Sequence, residues 1–213
     1  MRVAEDSDLS DFLTRATERL RPEPPDPTDA LANPRGDHTL DEIPLVRPLN
    51  PKAAAVLVPV VAREEPTLLL TERAAGLRQH SGQIAFPGGR VDPTDASIAA
   101  AACREAEEEI GLDSRFIGPL GYLDAYLSTS NYLVMPVVAR IPPSYRLSLN
   151  PHEVADAFEV PLRFLMNPAH HELHALERQG RLRRYYAMPY EGRYIWGVTA
   201  GIIRNLYERL YAT

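Results

Sequence analysis

Apolar positions along the chain follow two periods, and their order sets out a mixed architecture. Leu9, Phe12, Leu13, Ala16 and Leu20 recur at helical spacing behind a capping Ser7 or Asp8, so Ser7–Leu20 is predicted to be a short amphipathic helix. Ala53–Ala62 and Thr67–Arg73 are apolar runs suited to buried strands, with Arg63–Pro66 as the turn between them. Gln83–Pro87 reads as a short strand, and Phe116–Leu123 and Leu133–Ile141 as further strands. Glu153–Val160 begins as a loop and becomes a strand. Pro161–Met166 suits a short helix with proline in its first turn. Arg183–Tyr190 and Arg193–Trp196 are predicted to form a hairpin about Glu191-Gly192. Val198, Ile202, Leu206 and Leu210 stack at four-residue intervals and predict a closing helix over Val198–Tyr211. Strands interrupted by two substantial helices imply an α/β fold, with a mixed sheet covered on both faces.

A further helix, between the Gln83–Pro87 and Phe116–Leu123 strands, carries the most informative charge pattern. Gly88–Leu112 reads GGRVDPTDASIAAAACREAEEEIGL: paired glycines, a short acidic turn, then an Ala-rich helix. Ala99, Ala102, Cys103, Ala106 and Ile110 share one side and can dock on a core. Glu105, Glu108 and Glu109 sit at i, i+3 and i+4, so their carboxylates gather on another side. Like charges at that spacing repel by roughly 0.2–0.5 kcal/mol per pair, and more when desolvated. Arg104 can relieve this with a forked pair of hydrogen bonds. A hard divalent cation can also, and all-oxygen ligands suit Mg²⁺ or Mn²⁺ rather than zinc. Taken alone, a run of Glu on a helix is most often a solvated face.

The flanking residues change that reading. The stretch resembles the Nudix box, G-x5-E-x7-R-E-U-x-E-E-x-G-U with U a bulky aliphatic, at Arg104, Glu105, Glu108, Glu109, Gly111 and Leu112. Ala106 stands where a larger aliphatic is usual. Counting back from Arg104 puts Ala96 at the first acidic position, whereas counting forward from Gly89 puts Asp95 there, so the loop holds one extra residue. Upstream, Leu69–Gly89 reads LLTERAAGLRQHSGQIAFPGG and resembles the LLTxRxxxLRxHxGQxxFPGG element of the coenzyme A diphosphatase branch, which typically carries that extra residue. The resemblance runs from about Ala53 to the C-terminus.

Membership of this family would imply a Nudix-type α/β/α sandwich and hydrolysis of a nucleoside diphosphate linked to another group. The resemblance assigns Glu105, Glu108 and Glu109 to the metal, Mg²⁺ or Mn²⁺, with Arg104 orienting them. Gly88 and Gly89 allow the backbone to approach phosphate and metal, and the Gly89 carbonyl is a further candidate ligand. Many Nudix enzymes need one more acid beyond the box. Glu153 is preferred for it and as general base, Glu109 is its rival, and Glu159 ranks below both. Arg73, Arg78, His80 and Gln83 belong to the element that marks coenzyme A selectivity, and Arg suits bidentate phosphate recognition. The implied reaction splits the pyrophosphate of CoA, oxidised CoA or an acyl-CoA into adenosine 3′,5′-bisphosphate and 4′-phosphopantetheine or its acyl form. Alternatives are a Nudix hydrolase for another dinucleotide, such as ADP-ribose or NADH, and a nucleotide sensor without catalysis. Intact Glu105, Glu108 and Glu109 speak against the sensor.

Composition narrows the field further. With 213 residues, 45% hydrophobic and 24% charged, the chain suits one domain, residues 52–213, behind an extension, residues 1–51. Arg21–Pro51 holds eight of the twenty prolines and reads as an irregular connector. The 29 acidic against 23 basic residues disfavour nucleic acid as a partner and leave room for a local basic pocket. No apolar run is long enough to span a bilayer and no targeting segment is evident, so a cytoplasmic protein with a small-molecule substrate is expected. The single Cys103 excludes an intramolecular disulfide and is expected to be a packed core thiol. The oligomeric state is left open, a homodimer included.

Overall fold

A computed structural model describes residues 8–41, 50–76, 80–178 and 180–212. The first elements are α1 (Asp8–Arg19), α2 (Pro27–Ala32), β1 (Lys52–Val61), β2 (Thr67–Arg73), β3 (Ile84–Ala85), β4 (Gly88–Arg90) and α3 (Ile98–Ile110). There follow β5 (Gly118–Tyr122), β6 (Tyr126–Leu127), β7 (Tyr132–Ile141), β8 (Val154–Pro161) and α4 (Leu162–Leu165). The chain closes with β9 (Glu172–Arg178), β10 (Arg181–Tyr190), β11 (Arg193–Trp196) and α5 (Val198–Leu210).

β1 and β7 lie at the centre and run parallel, in register from Lys52 opposite Tyr132 to Val61 opposite Ile141. The other pairs in this sheet are antiparallel: β2 and β4 on β1, β3 and β8 on β2, β5 and β6 on β7. Among the described residues the result is an eight-stranded mixed sheet. The continuous apolar run of β1 follows from burial on both faces. Ala55, Leu57 and Val61, with Leu69 of β2, pack on Ala101, Ala102, Ala106 and Ile110 of α3. Val58 and Val60, with Leu68 and Leu70, pack in a second cluster with Phe12 and Ala16 of α1, Met188, Ile195 and the buried stripe of α5. The fold is an α/β/α sandwich around a mixed sheet, with an antiparallel β9–β10–β11 sheet on the α5 side.

Several local expectations change. Arg21–Pro51 is not wholly irregular: Asp26 caps α2, a 3₁₀ turn spans Asp37–Leu40, and Arg21 and Arg35 bridge to Tyr122 and Tyr126. The glycines after Phe86 form a strand of their own, β4, because Gly88 and Gly89 pair with Val56 and Ala55. The expected Gln83–Pro87 strand shrinks to Ile84–Ala85, and Ser114–Phe116 is a 3₁₀ turn ahead of β5. The hairpin about Glu191-Gly192 has a third strand, β9, which pairs along β10 from Arg178 opposite Arg181 to Glu172 opposite Ala187. On α3, Ala101 is fully buried, whereas Cys103 is half-buried against the same cluster, and burial pushes its thiol up from the ordinary value.

Candidate active site

The stripe that docks α3 on the sheet also carries Glu109, with only 4% of its side chain exposed. A carboxylate out of water needs partners. Glu109 Oε2 accepts the Gly88 N–H at 3.1 Å, and Arg73 Nη1 lies 3.6 Å from Oε1. That falls short of full compensation. Burial pushes the Glu109 carboxyl up to about 7, the Gly88 N–H and Arg73 pull it down, and the charges of Glu105 and Glu153 add to the rise. Gly88 has φ 154°, and a Cβ there would collide with the backbone of Ala55 and Val56, so glycine is what lets this N–H reach Glu109.

Glu105 lies one turn earlier on α3. A Cβ on Gly89 would stand 2.5–2.8 Å from its carboxylate, so the bare backbone of β4 rests against that group. Burial raises the Glu105 carboxyl, opposed by Arg104 and reinforced by Glu108 and Glu153. Arg104 Nη1 donates to Glu105 Oε1 at 2.9 Å and to Glu108 Oε2 at 3.3 Å. Its Nη2 also reaches the Arg90 carbonyl at 3.1 Å, tying helix to loop.

Asp95 completes this grip. Arg104 Nε and Nη2 fork onto its two carboxylate oxygens at 2.9 and 3.0 Å, and the Arg104 bond holds Asp95 below the usual carboxylate range. Forward counting from Gly89 points to this residue, yet it was not among the expected site residues; the extra loop residue obscured its pairing. Glu108 differs from its neighbours, with 58% of its side chain exposed and Arg104 as its partner. The three box carboxylates therefore do not converge on one point. Among the described residues no group of three or more His, Cys, Asp or Glu side chains is placed to hold a metal ion as it stands.

Two segments beyond the box approach Glu109. The Ala74 N–H donates to the Glu153 carbonyl at 2.9 Å, and Asn150 Nδ2 donates to Glu153 Oε1 at 3.1 Å. The Glu153 charge acts on both Glu105 and Glu109. Arg73 is 27% exposed, and its Nε is buried without a hydrogen-bond partner among the described residues. Its N–H donates to the Gln83 carbonyl at 3.0 Å, which closes the loop that carries His80. His80 is exposed at φ 59°, and its Nδ1 lies 2.8 Å from Gln83 Oε1. Arg78 lies outside the described residues. Glu159 belongs elsewhere, held by Arg63, Thr67 and Tyr145.

The glycine-bearing strand β4 thus lies over one buried and one half-buried carboxylate of α3, and Arg104 of the same helix braces the second of them against the loop. The NUDIX domain model matches residues 51–179. The chain belongs to the Nudix hydrolase family. An uncharacterized Nudix hydrolase NudL of Photorhabdus laumondii is 40% identical over 202 residues, 95% of this chain and 97% of that one. A NudL of Cronobacter sakazakii is 45% identical over 176 residues, 80% and 92% of the two chains. Among solved structures, a C. elegans Ap4A hydrolase binary complex aligns at 22% identity over 52% of this chain and 80% of that one, with a TM-score of 0.45, too slight a likeness to carry an argument. Nudix hydrolases use divalent cations to hydrolyse pyrophosphate-linked nucleotides. Among the described residues no helix is long and apolar enough to cross a membrane.

Proposed function

We propose that this Nudix hydrolase is a Mg²⁺- or Mn²⁺-dependent coenzyme A diphosphatase, cleaving CoA or a CoA derivative to adenosine 3′,5′-bisphosphate and the pantetheine phosphate. The observation that carries the reading is Glu109, a buried and under-compensated carboxylate on the box helix beside Arg73, one of the two arginines of the coenzyme A element. The donor set fits a hard divalent cation: Glu109 is a carboxylate short of positive charge, burial raises Glu105 even beside Arg104, and the Gly89 backbone lies against Glu105. Glu105 and Glu109 would hold the metal, with Glu108 contributing from the rim. When bound, the cation neutralises phosphoryl oxygens and makes water more acidic.

The remaining work falls to the chain's own groups. Arg104, fixed by Asp95 and the Arg90 carbonyl, keeps Glu105 turned toward Gly89. The Gly88 N–H keeps Glu109 turned toward the same strand. Glu153 accepts the proton of the attacking water, and Glu109 is the alternative acceptor. Arg73 binds a phosphoryl oxygen through the donors that Glu109 leaves unused, and Arg78, His80 and Gln83 read the rest of the nucleotide. A hydrogen bond to a charged group is worth about 1.5–3 kcal/mol, roughly ten- to a hundredfold in affinity. The test is a panel of CoA, dephospho-CoA, ADP-ribose and NADH, with Mg²⁺, with Mn²⁺ and in excess chelator. CoA is expected to exceed dephospho-CoA and ADP-ribose in kcat/KM by at least about tenfold, with loss of turnover in chelator. Preference for ADP-ribose would overturn the coenzyme A reading, and turnover in chelator would overturn the metal.

A further inference from the structure

Arg193, on β11, lies outside both motifs and on the opposite side of the main sheet from Glu109. Its guanidinium is held on three sides. Nη1 donates to Glu72 Oε2 at 3.1 Å, Nη2 donates to Asp156 Oδ2 at 2.6 Å, and Cζ stands 3.7 Å from the centroid of the Phe158 ring. Glu72 and Asp156 are direct partners across the β2–β8 pair. Like charges in that relation repel unless a cation lies between them.

At the next step the ladder breaks register. Arg73 pairs with Val154, which leaves Ala155 without a partner, so a bulge sits between Glu72 and Arg73. Bulges bend a strand and re-aim side chains, and they recur beside active sites. Both strands pass from this bulge straight into the site. Arg73 turns its guanidinium to Glu109, and the Ala74 N–H reaches the Glu153 carbonyl. A fork that spans the last regular pair before the bulge limits how far the two strands can slide or part.

We propose that Arg193 is a positioning residue for the reaction. It ties β2 to β8 immediately before the bulge, and so fixes how Arg73 and Glu153 approach Glu109. This rests on the reading of Arg73 and Glu153 as site residues. Lysine in its place keeps the charge but cannot fork across two carboxylates.

The experiment combines kinetics with amide exchange. Arg193→Met and Arg193→Lys are assayed with CoA, alone and combined with Arg73→Ala or Glu153→Gln, at a temperature where circular dichroism shows every variant folded. Arg193→Met should lower kcat/KM by about ten- to a hundredfold, the scale of a small misplacement of catalytic groups, and Arg193→Lys by less. The loss should shrink at least severalfold once Arg73 or Glu153 has been removed, because groups acting through one another are not additive. Hydrogen exchange followed by NMR should be faster at the Arg73 and Ala74 amides in Arg193→Lys and unchanged in α5. An undiminished Arg193 loss in both double backgrounds, or unchanged exchange at Ala74, overturns the proposal. The exchange arm reads no turnover, so failure of wild-type protein to cleave CoA counts against the functional reading and not against the clamp.

Discussion

Glu109 and Glu159 are both carboxylates largely withdrawn from water, with 4% and 20% of their side chains exposed, and the protein treats them in opposite ways. Around Glu159 the set of partners is complete. Arg63 forks onto it at 2.8 and 2.7 Å, and the hydroxyls of Thr67 and Tyr145 donate to the same oxygens. The Arg63 bond, helped by those hydroxyls, holds its carboxyl near 2 despite burial. Around Glu109 the set is short: one backbone N–H, an arginine at 3.6 Å, and two further acids whose charges press on it. A desolvated carboxylate either receives its hydrogen bonds from the protein or holds its proton more tightly. The Glu159 region locks β2, β8 and the Arg63–Pro66 turn together. The Glu109 region leaves negative charge to be completed from outside, as a site for a cation and a phosphorylated substrate requires.

The sharpest way to break this contrast is to neutralise each group. Glu109→Gln keeps the shape and removes the charge, and kcat should fall by at least about a hundredfold, the scale for losing a positioned catalytic group. Folding should survive, because the change also removes an under-compensated buried charge. Near-wild-type kcat in the folded variant would end the assignment. Stability against pH separates the two groups next. For Glu109 the folded state holds its proton up to about 7, above the ordinary value of 4.5, so metal-free stability should fall as pH rises from about 4.5 to 7. For Glu159 the folded value lies near 2, so its stabilisation is present above about 4.5 and is lost as pH falls toward 2. Urea midpoints across pH in chelator should flatten in the upper window for Glu109→Gln and in the lower window for Glu159→Gln. Glu159→Gln should also cost about 1–3 kcal/mol at neutral pH and leave kcat nearly untouched. A large kcat loss there would mean that Glu159 had been wrongly set apart from the chemistry.

The same contrast explains what could be read from sequence. The scaffold around both acids follows from patterns that are visible one element at a time: the apolar runs of β1 and β2 and the Ala-rich stripe of α3. The burial of the acids does not, because helical spacing put Glu109 on a different side from Ala106 and Ile110, and alternation along β8 let Glu159 face either way. The partners of these acids are not visible that way. Arg63 and Tyr145 meet Glu159 across 96 and 14 residues, and Arg73 meets Glu109 only because β2 and α3 cover the same strand. Helical spacing placed Glu105, Glu108 and Glu109 on one side, but not the difference in burial between Glu109 and the exposed Glu108, nor the Arg104 contact that Glu105 and Glu108 share. Gly88 and Gly89 signalled a close approach, whereas their pairing with β1 depends on a ladder that no local window contains. Short elements inside proline-rich sequence, such as α2, are held by a single cap and by long-range bridges, and local propensity does not report those.

The smallest effect is expected two residues from the largest. Glu107 is on the same helix as Glu109 and differs from it in direction: it is exposed, and its carboxylate has no hydrogen-bond or ion-pair partner among the described residues. Its charge reaches the Cys103 thiol, whereas the Gly88 N–H is bound by Glu109. Glu107→Gln changes the net charge of α3 as much as Glu109→Gln does. If total negative charge on the helix drew the cation, the two variants would suffer alike. If placement governs, Glu107→Gln should keep kcat within about twofold and stability within about 0.5 kcal/mol, as for an ordinary surface change. Measuring both variants at saturating Mg²⁺ and again at limiting Mg²⁺ separates these cases, because a charge effect acting at a distance would raise the metal requirement of Glu107→Gln. An unchanged metal requirement at Glu107, beside a lost one at Glu109, would place the function in the two carboxylates under Gly88 and Gly89 rather than in the acidity of the helix.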